Sequence, residues 1–125
     1  MNVVDSSGWL EYFADGPNAE HFAKPIGVTS QLVVPTLSIF EVFKRVLAQR
    51  GDDAALEAAA LMRQGRVVPL DDTLALEAAR LSVAERLPMA DSIILATARA
   101  NHATLWTQDA DFATVSSGVR YVAKR

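Results

Sequence analysis

Four carboxylates stand where an apolar run ends or a helix begins. They are Asp5 after "NVV", Glu41 in "TLSIFEVFKRV", Asp91 in "LPMADSIILATA" and Asp109 in "TLWTQDADF". Asp5 has no basic neighbour to pair with. Gathered in one pocket, these groups repel: two like charges about 5 Å apart cost about 3 kcal/mol at an effective dielectric near 20. A divalent cation is the natural counter-charge, and all-oxygen ligation suits Mg²⁺ or Mn²⁺. Zinc is a poor match. The sequence has no cysteine, and no ligand spacing connects His21 with His102.

Each acid also has a local alternative. Asp5 can cap a helix over "SSGWLEYF". Glu41 lies three residues after Ser38, the spacing of a capping box, and four before Arg45, the spacing of a helical ion pair. A helical wheel puts it on the polar side, opposite Ile39, Phe43 and Val46. Asp91 gains from a helix dipole, although its neighbours Leu87, Ile94 and Leu95 offer no charge partner. Asp109 can cap a short helix over "ADFATV", with Asp111 as a solvated neighbour. Asp52, Asp53, Asp71 and Asp72 read as helix-start acids, and Glu57, Glu77 and Glu85 as solvated helix faces.

The elements that must position these groups follow from the pattern of apolar residues. Strands are expected at Asn2–Val4, Gln31–Pro35, "RVVPL", "TLWT" and "VRYVA". Helices are expected over "SGWLEYFA", "TLSIFEVFKRVLAQRG" with Thr36 or Ser38 as cap, and "DDAALEAAALMRQG" capped by Asp52. Two more follow, over "DDTLALEAARLSVAERL" from Asp71 or Asp72, and over "PMADSIILATARANH" with Pro88 in its first turn. A short turn of helix is expected over "DADFATV". Alternation of this kind predicts an α/β fold, a three-layer α/β/α sandwich with a mostly parallel central sheet. In such sheets ligands bind beyond the carboxyl ends of the strands, where Asp5 and Asp109 fall.

The bulk properties narrow the field. At 125 residues the expectation is a single domain spanning 1–125, with half the residues hydrophobic and a net charge of −3. That charge gives no global field for nucleic acid, so any phosphate binding rests on local cations. The absence of cysteine excludes thiol chemistry and fits a reducing, cytoplasmic location. The N-terminus has no signal-peptide pattern, and no stretch approaches the roughly 18 unbroken apolar residues of a membrane span. Phosphate-cradling glycine motifs and the G-x-S-x-G nucleophile elbow are missing.

The four segments "VVDSSGWLEYF", "TLSIFEVFKRV", "LPMADSIILATA" and "TLWTQDADF", in that order, resemble a PIN domain and, more closely, the VapC-type toxin ribonucleases. The resemblance spans essentially the whole chain, and "LPMADSIILATA" is its most specific piece. It implies an endoribonuclease dependent on Mg²⁺ or Mn²⁺, the toxin of a type II toxin–antitoxin pair. It also implies a homodimer held inactive by a cognate antitoxin. Carried over residue by residue, it makes Asp5, Glu41, Asp91 and Asp109 the catalytic, metal-binding acids, with Ser6, Thr107 and Asp111 supporting them. The segment from Asp52 to Glu85 matches only in pattern.

Lys44, Arg45, Arg50 and Arg99 are candidates for guiding an RNA backbone, against a simpler role as solvated charges. Trp9, Tyr12, Phe40 and Phe43 are candidate antitoxin contacts, against a role in the core. Two other readings compete: a catalytically silent interaction module of the same fold, and a receiver-like phosphoacceptor domain. The second would want adjacent acids after the first strand, where this sequence has serines.

Overall fold

A computed structural model of the chain describes residues 1–115 and 117–125. Five short strands form the centre: β1 (Asn2–Val4), β2 (Val33–Pro35), β3 (Arg66–Val68), β4 (Thr104–Thr107) and β5 (Val119–Tyr121). All pairings are parallel. β4 lies between β1 and β5, β2 pairs with β3, and a single parallel bridge from Asn2 to Leu32 joins the two groups. The register sets Val4 opposite Trp106 and Thr107 opposite Tyr121, which aligns the carboxyl ends of β1, β4 and β5.

Side chains alternate across a strand, so neighbouring residues feed opposite faces of the sheet. Val4, Val34 and Trp106 join one core cluster with Trp9, Phe22, Val42 and Met62. Val3, Val33 and Leu105 join the other with Ile94, Leu95 and Phe112. Strands buried on both faces need helices on both faces. On the first side lie α1 (Ser6–Phe13), α2 (Ala19–Ile26), α3 (Thr36–Arg50) and α4 (Asp52–Met62); on the second lies α6 (Met89–Ala100), packed in turn on α5 (Asp72–Glu85). The expected three-layer α/β arrangement is therefore the observed one. Among the described residues no helix is long and apolar enough to cross a membrane.

Several local expectations need correction. Helix α2 was not among the expected elements. Its cause is tertiary: Phe22 and Ile26, one turn apart, are both buried in the first cluster. Neither Thr36 nor Ser38 caps α3. Pro35 occupies that position, no side-chain cap is made, and the buried Ser38 hydroxyl has no partner. The Ser38–Glu41 capping box is thus not formed. Gly51 ends α3 at φ 89° and itself precedes α4, so Asp52 is a first-turn residue rather than the cap. Pro88 likewise precedes α6 instead of lying in its first turn.

Trp9 was a candidate partner contact and is instead wholly buried, stacked on Phe13 at 5.6 Å. Tyr12 and Phe43 are half-buried against the same core. Of the four proposed aromatic contacts, only Phe40 stands out into solvent, at 60% exposure.

Candidate metal centre

The site is built where β1 and β4 end. Asp5 follows β1 and is the N-cap of α1, its Oδ1 accepting from the Gly8 amide at 2.9 Å. Oδ1 also accepts from the Ser7 hydroxyl at 2.7 Å, and Oδ2 from the Thr107 hydroxyl at 2.6 Å. Helix α1 can begin this close to the strand because residue 8 is glycine. A Cβ there would meet Val4 and Phe22 side-chain atoms at 2.7 Å. The cap expected of Asp5 is therefore formed, and it holds the carboxylate at the end of β1.

Thr107 links this corner to the next. Its hydroxyl, buried at the end of β4, donates to Asp5 and accepts from the Asp109 amide at 2.9 Å. Asp109 caps a 3-10 turn over Ala110–Phe112, its Oδ1 accepting from the Asp111 amide at 2.9 Å. That turn is pinned by Phe112, which is buried under α6. Asp91, in the first turn of α6, completes the corner. Asp91, Asp109 and Asp111 each offer a carboxylate oxygen, and these atoms all lie within 4.8 Å of one another.

Electrostatics distinguish the two halves. Burial dominates at Asp5, which is 2% exposed; the bonds from Thr107, Ser7 and Gly8 oppose it, and the Asp109 charge adds to it. The carboxyl is pushed from the ordinary 3.8 up to about 6. At Asp91 burial again leads, followed by the Asp109 charge, a hydrogen bond with Asp111, the Asp111 charge and finally Asp5. Together they push Asp91 up to about 7. Every neighbour acting on Asp91 is another acid, so the group holds a proton or a cation near neutrality.

The expected four acids are therefore not one equal set. Asp91 and Asp109 meet, and Asp111, expected only in support, joins them. Asp5 adjoins through Thr107, with three of its roughly four acceptor sites already occupied. Glu41 stands apart from the triplet, its Oε1 accepting from the Ser6 hydroxyl at 2.7 Å across the start of α1. It makes no ion pair with Arg45. Ser6 and Thr107 both contact the acids they were expected to support.

Sequence reasoning missed Ser7, although its position two residues after Asp5 is that of a local side-chain bond. It also missed Asn18 and Gln108. The buried Asn18 amide donates to Gln108 Oε1 at 3.0 Å and to the Ala123 carbonyl at 3.1 Å, tying α2 to the loop beside Asp109. Nothing in the local sequence of Asn18 marks that long-range role. His21, set aside as a ligand, packs at a tilt against Trp106, with ring centroids 4.9 Å apart, on the first face of the sheet.

The sequence matches the PIN domain family over residues 3–117, and the chain belongs to that family. Its structural neighbours include a VapC toxin and chains of toxin–antitoxin assemblies. One is a chain of a toxin–antitoxin complex from Klebsiella pneumoniae, with a TM-score of 0.81 and 19% identity over 96% of each chain. Another is VapC20 of Mycobacterium tuberculosis, described as a toxin that cleaves the sarcin–ricin loop. It has a TM-score of 0.77 and 20% identity over 96% of this chain and 99% of that one. A third is a chain of VapBC2 from Rickettsia felis bound to promoter DNA, with a TM-score of 0.74 and 9% identity over 98% of this chain and 97% of that one. At these identities the likeness is one of fold. No curated protein matches the chain.

Proposed function

We propose that this chain is an endoribonuclease dependent on Mg²⁺ or Mn²⁺, acting as the toxin of a type II toxin–antitoxin pair. The observation that carries this reading is the meeting of Asp91, Asp109 and Asp111 within 4.8 Å, with no basic group among them and Asp5 alongside. The donor set fits the ion: it is all oxygen, it is acidic, and burial and the neighbouring acids raise the Asp91 pKa to about 7, a penalty that a cation would relieve. Asp91, Asp109 and Asp111 would hold the ion directly. Asp5 would reach it through its one remaining lone pair or through water, and Glu41 would act from the far side of the α1 start. Once bound, the ion would supply a lowered pKa for water and charge neutralisation at the phosphate.

The residues of the chain do the rest. Thr107 fixes Asp5 and the Asp109 backbone relative to each other, so the acids keep their spacing as the substrate arrives. Ser6 and Ser7, on the first turn of α1, hold Glu41 and Asp5 at fixed rotamers. Asp91 or Asp109 would orient the attacking water or accept its proton.

The partner reading follows the same line. The neighbour from Klebsiella pneumoniae is described as a toxin–antitoxin complex and that from Rickettsia felis as VapBC2, which supports a cognate antitoxin here. The test is hydrolysis of defined single-stranded RNAs with Mg²⁺, Mn²⁺ or EDTA. Cleavage that requires the ion and disappears in Asp91→Asn is the expected result. Cleavage equal in EDTA, or none under any ion, would overturn the reading and favour the silent interaction module.

A further inference from the structure

An acidic site cannot hold a polyanion alone; the flanking phosphates need cations. Three of the chain's cations line two adjoining cavities, the second of which is bordered by Asp109. One cavity, of about 280 Å³, lies between α1 and α3 and is lined by Ser7, Arg45, Arg50 and Lys124. A second, of about 450 Å³, is lined by Ser7, Asp109, Tyr121 and Lys124. Ser7, Gln108 and Lys124 border both, so the two join into one groove that runs up to Asp109.

The groove is held in place by the fold. Tyr121 is the register partner of Thr107, so its ring stands on the edge strand beside the residue that binds Asp5, and it is 38% exposed. Lys124 lies near the terminus, but the residue before it is anchored: the Ala123 carbonyl accepts from the buried Asn18. Arg50 donates to the Phe13 carbonyl at 3.3 Å, which holds it at the end of α1. The one acid on the α1 wall, Glu11, already accepts from the Asn18 amide at 2.8 Å. Of the other two cations suggested by the sequence, Lys44 sits over the Phe40 ring and lines a separate cavity with Glu41 and Arg45, and Arg99 donates to the Ser117 carbonyl.

We propose that this groove is the single-strand subsite of the enzyme, where Tyr121 stacks on the base next to the scissile phosphate while Lys124, Arg45 and Arg50 hold the neighbouring phosphates. The proposal rests on the nuclease reading, in which the strand passes Asp109. A stacking ring on one side and a line of cations on the other is the arrangement that grips unpaired nucleotides without reading their sequence. A duplex keeps its bases stacked inside and cannot present one to Tyr121.

The test is binding rather than cleavage, so it stands apart from the nuclease test. A fluorescent single-stranded oligoribonucleotide is titrated by anisotropy in EDTA against the full-length protein, at several salt concentrations. Tyr121→Ala is expected to weaken binding about 5- to 100-fold, the scale of one lost base–aromatic stack, and Tyr121→Phe to restore it. Lys124→Ala is expected to reduce the salt slope by about 0.7, one phosphate contact on a single strand, and Lys124→Arg to restore it. A matching RNA duplex is expected to bind more weakly. Unchanged affinity in both alanine variants, equal duplex binding, or no binding by the parent would each overturn the groove assignment. If the variants lose binding while the parent cleaves nothing, the groove stands and the nuclease reading falls.

Discussion

The two halves of the acidic corner manage buried charge in opposite ways. At Asp5 the carboxylate is closed in by donors: Ser7, Gly8 and Thr107 take three of its acceptor sites. At Asp91 the neighbours are carboxylates, and each of them makes ionisation harder. The first half is satisfied by the fold itself and is part of how β1 joins α1. The second half is unfinished without a proton or a cation. A protein gains nothing in stability from facing three carboxyl groups together, so the second half is where function is expected to show.

That contrast can be broken most directly at Asp91. In Asp91→Asn, RNA cleavage is expected to fall by at least about 10²–10³-fold, the scale of losing one preorganised electrostatic group at a reacting centre. The same variant is expected to make the ion-free protein more stable at pH 8 in urea, because repulsion from Asp109 and Asp111 is relieved. Lower stability in the variant would mean that Asp91 makes favourable contacts in the folded state, and the contrast would fail.

The pH dependence follows with a definite sign. The folded-state carboxyl of Asp5 is raised from 3.8 to about 6, so between these values the folded protein binds the proton more tightly than the unfolded chain. Stability present below about pH 4 is lost as pH rises through 6, by about 3 kcal/mol for this group alone at 1.36 kcal/mol per pH unit. Asp91 acts in the same direction and extends the loss through about pH 7. Urea unfolding in EDTA is expected to show higher stability at pH 5 than at pH 8. Millimolar Mg²⁺ is expected to restore stability at pH 8 and do little at pH 5, where protons hold the site. A flat profile in EDTA would remove the electrostatic basis for the centre.

How far this was legible in the sequence depends on the range of the interaction. Strands β1, β4 and β5 and the first residues of α1 and α5 follow from local pattern, and so does the α/β class. The acids were found because strand ends in a parallel sheet share an edge, whatever the details. Grouping among them was not legible. Asp111 joins Asp91 because Phe112 is buried under α6, and Glu41 is drawn to Ser6 instead of Ser38 because α1 passes in front of α3. Helix α2 was not expected; its buried Phe22 and Ile26 stand one turn apart, and their packing into the first cluster is what holds it.

Thr107 tests the closed half. In Thr107→Val the shape is nearly kept, but Asp5 Oδ2 loses its donor and the Asp109 amide its acceptor. Removing one partner and leaving buried groups unsatisfied is expected to cost about 1–3 kcal/mol. The pH-dependent loss of stability is expected to move upward as well, because one of the bonds holding down the Asp5 pKa is gone. A variant as stable as the parent, with the same pH profile, would show that Asp5 is not held by the fold as described.

Glu41 gives the smallest expected effect and the sharpest placement. Glu41→Gln keeps an oxygen for the Ser6 hydroxyl at the same position and removes only the charge. If Glu41 stands outside the ion's direct ligands, as its separation from the triplet indicates, Mg²⁺ affinity is expected to fall about tenfold, the lower end of the effect of an outer-shell partner. Titration of the Mg²⁺-dependent stability in parallel with Asp91→Asn would rank the two. Equal losses in both variants would draw Glu41 into the ion's ligand set, and the boundary between the two halves would then run through Ser6 rather than Thr107.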